Sequence, residues 1–488
     1  MSALTRNERL MLAAITAAGV ALRAQGLGEL SLAHFDEGVL MSGAFDTRLK
    51  GLWQFTLAQP LQAPPLYPWL VSGLMWLTGM NSPLVGAYAS ALLGSATIPL
   101  FFVLARRTGG NRFGLVAAGL LAASDLHIAF SRMALTEAAL TFWFVLAMYA
   151  WLRLTDALTG RDVKSLVVWL CAAGFATGAC WNTKYNGWMP CAIALTAWCL
   201  AGARRRLVGR QLAPAPKATA RSNAALLCAA AIAVLCFLPW YRYVDQSFPG
   251  GYAAVTKNHL SYLGGVSDWP GRAARLFASL SAFRHYGWVV TLAALLLGLS
   301  YYAVINRRAN AAGRTEPVPT WAMVMAGVLA IATVITLGGD ALCFLLAVAG
   351  IAPALAWGRG EEITLAVWVG AFLVLTPFYH PYTRLLVPAL PGAICLMLWL
   401  CGAACGLPCD TGQDVVERSS RQSPTQTRAA IACVFSSLAA ALGIAMLAHP
   451  FGWLPTAAHW RRWTTHRSYR ALNDAVREHT PNHCHVLC

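Results

Sequence analysis

The stretch LMLAAITAAGVALRAQ (residues 10–25) is an apolar run, and HFDEG (residues 34–38) follows it closely. Arg6 and Arg9 precede the run. No small-residue cleavage site ends it, and Arg23 lies near its far end, so it reads as an uncleaved membrane span rather than a signal peptide. Two adjacent carboxylates, Asp36 and Glu37, then emerge just beyond the first span. Outward from this point the chain repeats the same theme. It has 488 residues, is 58% hydrophobic and only 12% charged, and its charges fall in short clusters. Soluble domains carry about 25% charged residues. The apolar runs between clusters are about 17–22 residues long, the length that crosses a hydrocarbon core. The fold class expected is an all-α polytopic membrane protein.

The net charge of +17 does not point to nucleic acid, because the basic residues occupy alternate loops, as the positive-inside rule demands. Clusters at Arg106-Arg107, Arg153, Arg204-Arg205-Arg206, Arg307-Arg308, Arg359 and Arg418 define the inner side. For the charges to alternate, residues 65–80 must be an interfacial or re-entrant helix and 84–104 the second span. Further spans are expected near 114–130, 133–152, 166–182, 186–202, 224–241, 286–305, 320–338, 341–357, 363–379, 385–405 and 427–448. That gives about 13 helices in a module over residues 1–449, with a first outer loop at 26–83 and a long outer loop at 242–285. Residues 450–488 are expected as a short extracytoplasmic tail, with the N-terminus cytoplasmic. Most of the fourteen cysteines lie in apolar runs, where thiols act as small hydrophobes.

This topology gathers the informative polar residues on one side, where charge near membrane depth is expensive and tends to be functional. Asp36-Glu37 is either a solvated pair or a general base beside a metal ligand or orienting carboxylate. Glu137 lies about one turn into its span, as an ion-pair partner of Arg132 or as a second acid in the same cavity. Lys184 and Arg384 sit at span ends, where they snorkel to lipid or face a phosphate. Tyr67, Tyr185, His259, His380 and Tyr382 lie at or near the outer tips as candidate cavity residues. His259 and His285 are the candidate metal ligands, and no spacing selects them.

These features together resemble the GT-C glycosyltransferases, specifically the bacterial glycosyltransferase 39-like group related to protein O-mannosyltransferases and the lipid A aminoarabinose transferase. The resemblance is carried by Phe35-Asp36-Glu37-Gly38, Pro64-Pro65-Leu66-Tyr67-Pro68-Trp69, Ser131 to Glu137, Gly174 to Gly178 leading to Thr183-Lys184-Tyr185, and Tyr382-Thr383-Arg384. It implies a GT-C-like transmembrane module with a catalytic first outer loop, and sugar transfer from a polyprenyl-phosphate donor to a lipid, glycan or protein acceptor. It implies Asp36, Glu37 and Glu137 as catalytic residues, and Arg132, Lys184 and Arg384 as donor-phosphate contacts. A divalent metal ion is left open as a cofactor. Relatives often carry Lys or His before the Pro-Pro pair, whereas this chain has Ala63. The implied location is a bacterial plasma membrane. A transporter or lipid flippase, or an inactive GT-C-like scaffold, is the alternative; the transporter reading is weakened by the lack of a clear internal repeat.

Overall fold

The computed structural model describes residues 3–208, 220–281 and 339–404, apart from the single positions 31, 33, 57, 159 and 161. The spans expected near 286–305, 320–338 and 427–448, His285, and the tail 450–488 lie outside the described residues. Within them the chain is helical, with no strand. Among the described residues, seven helices are long and apolar enough to cross a membrane.

The first helix, α1 (Arg6–Ala24), begins with a capping box in which Thr5 and Glu8 satisfy each other's backbone amides. The segment expected as a loop over 26–83 is largely helical. It holds α2 (Phe35–Lys50), the short α3 (Gln59–Gln62) and α4 (Leu66–Thr78). Helix α2 escapes a span reading because it carries five charged side chains in its sixteen residues. It is nonetheless anchored, since Leu40, Met41 and Ala44 join the main core with Tyr67, Val71 and Met75 of α4. With 13 residues α4 is about 20 Å long, too short to span the bilayer.

Helix α5 (Leu84–Ala123) is broken at Gly109 and Gly110, and Gly110 has φ +81°, a value that favours glycine. Its two halves fold back on each other: Ile98 and Phe102 pack against Leu115, Ala118 and Ala122. The spans expected at 84–104 and 114–130 are these two halves plus a short helix, α6 (Asp125–Phe130). Beyond it Ser131 and Arg132 are 0% and 1% exposed, so the turn expected at an outer tip is buried. The reason is the end of α1, whose open carbonyls on Leu22, Arg23 and Gln25 receive the Arg132 guanidinium.

Helix α7 (Thr136–Ala157) is the central post. It packs against α5, α8 (Val163–Thr183), α9 (Met189–Val208) and a three-ten turn, Thr383–Ala389. Trp151 of α7 donates to the Thr177 hydroxyl at 3.0 Å. Helices α10 (Ala220–Ser247), α11 (Gly251–Leu260) and α12 (Trp269–Ser281) follow. The long outer loop is therefore partly helix, and it is tied down: Arg272 donates to the carbonyls of Tyr262 and Tyr379. Helices α13 (Gly339–Trp357), α14 (Gly360–Tyr379) and α15 (Leu390–Ala404) complete the described chain. Asp340, just ahead of the span expected at 341–357, is 5% exposed and accepts from the Ser124 hydroxyl and the Leu126 amide. At the opposite end of the bundle Arg107 joins three elements, donating to Asp156 at 2.9 Å and Glu361 at 2.6 Å.

Two glycines set the approach of α8 to α10. A Cβ on Gly174 would lie 2.6 Å from the Ile232 Cβ, and one on Gly178 would lie 2.5 Å from the Cys236 Cβ. This small-xxx-small spacing lets helices meet closely in lipid, where packing rather than water exclusion holds them. Gly174→Ala and Gly178→Ala should each cost about 1–3 kcal/mol by overpacking, read as a lower melting temperature of the purified protein. Gly73→Ala, where an added methyl meets nothing within 4 Å, is the control that should not move it.

Candidate active site

The site begins at the N-terminus of α2. His34 is extended (φ −118°, ψ 140°), and its ring Nδ1 accepts the Asp36 amide at 3.1 Å. Glu37 answers by accepting the His34 amide at 2.9 Å, closing a capping box built on a histidine. The second Glu37 oxygen accepts the Ala134 amide at 2.8 Å. Glu37 is only 2% exposed, so it fastens α2 to the segment ahead of α7. Its neighbour Asp36 points elsewhere, towards the Arg384 guanidinium at 2.6 Å. Adjacent carboxylates thus do different work because successive residues on a helix face different directions.

Arg384 stands at the start of the three-ten turn and lies 3.8 Å from Glu137 in the first turn of α7. Glu137 is held more tightly by Lys184, the residue capping the end of α8, at 2.6 Å. The result is an alternating series Asp36, Arg384, Glu137, Lys184, drawn from four separate elements. The Glu137 side chain is 1% exposed, whereas Asp36, Lys184 and Arg384 are 16–18% exposed. The buried anion is the hub, and the exposed partners can reach a ligand.

Beside the series is a cavity of about 210 Å³ lined by His34, Ala129, Phe130, Met133, Leu135, Tyr382, Thr383 and Arg384. One wall is apolar and the other carries the cation. The His380 and Tyr382 rings stack at 3.7 Å, and the Arg384 guanidinium lies 5.1 Å from the Tyr382 ring centre. His259 pairs with the Tyr379 hydroxyl at 2.7 Å and meets the Tyr185 ring edge-on at 4.9 Å. Burial pushes the His259 imidazole down to about 4, and Lys184 adds to the shift. Burial also holds His34 and His380 below the ordinary histidine value.

Three residues expected at the site have other surroundings. Arg132 is buried on the carbonyls at the end of α1, away from the cavity lining. Tyr67 is fully buried, its hydroxyl donating to the Gly86 carbonyl or the Ser90 hydroxyl. The Tyr185 hydroxyl is taken by the Pro60 carbonyl and also accepts from Trp240. His34 is the cavity residue that the sequence reading passed over; the available signal was Glu37 three residues on, the spacing of a capping box. Among the described residues no three of His, Cys, Asp or Glu are placed to hold a metal ion. The divalent ion left open from sequence therefore has no donor set among them.

Residues 56–251 match the family profile described as dolichyl-phosphate-mannose-protein mannosyltransferase. A search of curated protein sequences finds no match. Among solved structures, the oligosaccharyltransferase AglB from Archaeoglobus fulgidus, in complex with an inhibitory peptide and a dolichol-phosphate, aligns with TM-score 0.56 at 15% identity, over 98% of this chain and 58% of that one. The apo form of the Archaeoglobus fulgidus oligosaccharyltransferase gives 0.56 at 16% identity, over 97% and 58%. ArnT from Cupriavidus metallidurans bound to undecaprenyl phosphate gives 0.52 at 16% identity, over 90% and 77%. The chain thus spans about 58% of the length of the archaeal enzyme.

The buried His259 gives a pH signature. Its ring is harder to protonate in the fold than in the unfolded chain, so unfolding takes up a proton below about pH 6.5. Stability should fall as pH drops from there towards about 4. His259→Gln, which can still bond Tyr379, should flatten the melting temperature across that window.

The chain shares the fold of these membrane glycosyltransferase structures, and the mannosyltransferase profile matches its residues 56–251.

Proposed function

We propose that the protein transfers a sugar from a polyprenyl-phosphate-linked donor to a hydroxyl of a lipid, glycan or protein acceptor, at the outer face of a bacterial plasma membrane. The observation that carries this reading is the series Asp36, Arg384, Glu137, Lys184 beside a cavity with an apolar wall. A prenyl chain suits the apolar wall of Ala129, Phe130, Met133 and Leu135. The phosphate suits the exposed faces of Arg384 and Lys184. The similar folds of an oligosaccharyltransferase complexed with dolichol-phosphate and of ArnT bound to undecaprenyl phosphate support the same donor class. Charge supports the proposed side. Arg106, Arg107, Arg153, Arg204 and Arg359 lie at the end of the bundle opposite the series, as residues facing the cytoplasm do.

In this reading Asp36 takes the proton of the acceptor hydroxyl as its oxygen attacks the anomeric carbon. The carbon–oxygen bond to phosphate breaks, and the electron pair leaves with the phosphate. Arg384 and Lys184 are already oriented by Glu137, so they stabilise that charge without reorganising. Glu137 itself stays ionised between two cations and holds them apart at working distance. Glu37 positions α2 and does not touch substrate. Attack opposite the leaving phosphate inverts the anomeric centre.

The test uses purified protein in lipid with radiolabelled polyprenyl-phosphate sugars and an envelope extract as acceptor. Wild type should move label from one donor to acceptor. Asp36→Asn should lower that rate by about 10²–10⁴, and Lys184→Ala by about 10²–10³. Full activity in Asp36→Asn would remove it as the base. Movement of intact lipid across the bilayer without transfer would point to a flippase instead.

A further inference from the structure

His34 has two nitrogens with different circumstances. Nδ1 accepts the Asp36 backbone N–H at 3.1 Å, so that nitrogen carries no proton. Burial favours the neutral ring, which has one N–H, and that N–H is therefore on Nε2. The ring is 43% exposed and lines the cavity together with Tyr382, Thr383 and Arg384. Nε2 has no protein partner among the described residues, while Nδ1 is occupied. Capping therefore fixes both the tautomer and the direction of the free donor.

The electrostatics of the neighbourhood give that donor a purpose. Arg384 is already engaged by Asp36 at 2.6 Å and approached by Glu137 at 3.8 Å. A phosphate arriving at Arg384 competes with both carboxylates. A neutral N–H on the same cavity wall offers an oxygen a hydrogen bond without drawing a carboxylate to itself. His34 is also one bond network away from the Asp36 carboxyl, since the amide it holds belongs to Asp36.

We propose that His34 is a substrate-binding residue whose Nε2–H donates to a phosphate oxygen of the prenyl-phosphate ligand, while its Nδ1 holds the Asp36 amide and keeps that carboxylate against Arg384. This rests on the donor class inferred above. It adds a ligand contact that is not cationic, and it links donor binding to the position of Asp36 through one ring.

Isosteric variants separate the two nitrogens. In His34→Asn the side-chain oxygen reaches the place of Nδ1, so the cap survives but the outer N–H is gone. In His34→Gln an amide N–H reaches towards the place of Nε2, but the cap is lost. Binding of undecaprenyl phosphate, and of undecaprenol as the same tail without phosphate, is measured on the full-length protein in nanodiscs alongside the melting temperature. His34→Asn should keep the wild-type melting temperature yet bind undecaprenyl phosphate roughly 10- to 100-fold more weakly, the loss of one hydrogen bond to a charged oxygen. Its undecaprenol binding should be unchanged. His34→Gln should melt lower but recover part of the phosphate affinity. Wild-type affinity in His34→Asn, or equal losses for both lipids, overturns the proposal and leaves His34 as a helix cap. No undecaprenyl phosphate binding by the wild type overturns the donor class as well, and so is distinguished from a failure of His34 alone.

Discussion

A carboxylate with almost no access to water must be neutralised by its surroundings, because leaving it charged and alone would cost far more than the fold could recover. Glu137 is such a group, with Lys184 at 2.6 Å and Arg384 at 3.8 Å. Each partner comes from a different place: the end of α8 and the turn ahead of α15. Meeting the charge requirement of one residue therefore brings distant segments together, and Arg384 extends the constraint to α2 through Asp36. Removing one partner of a buried pair costs about 3–5 kcal/mol in general, so the arrangement specifies one assembly of these elements.

Elsewhere the same bundle solves its polar problems with backbone carbonyls. Arg23 donates to the carbonyls of Gly19 and Ala122, and Arg132 to those of Arg23 and Gln25. Both guanidiniums sit where helices end and their last carbonyls lack partners. At the far end Arg107 ties α5, α7 and α14 by charge. The two ends of the bundle are thus both fixed by ion pairs, beside a cavity at one and joining three helices at the other.

How far the sequence could be read depended on which physical signal a residue obeyed. Most of the spans within the described residues were legible because length and apolarity are set by the bilayer. Asp36, Glu137, Lys184 and Arg384 were legible as candidates because they are charges near span ends on one side, although a solvated pair, a simple ion pair or snorkelling fitted them as well. The role of Glu37 was not legible, since two adjacent carboxylates look alike until helix geometry turns one inward. The helix over α2 was missed because its charged positions hid an apolar face that packs on α4. Arg132 and Tyr67 drew attention as site residues by type and position, but their partners are carbonyls that no sequence pattern announces. The burial of the turn at Ser131 was not legible, because it depends on a six-residue helix that folds it inward.

The four ionic side chains of the series beside the cavity carry two negative and two positive charges, so the series is electrically level. An anion that settles there tilts the balance by its own charge. Something must then answer: a carboxylate lets go of its cation, a proton enters, or a counterion follows the ligand in. Asp36, the more exposed of the two anions, is the one with room to swing free. On the proposed reading Asp36 is tied to a cation until the phosphate takes its place, and is released once it has. On that reading order of binding becomes a property of charge counting, and water arriving alone finds Asp36 still tied to Arg384.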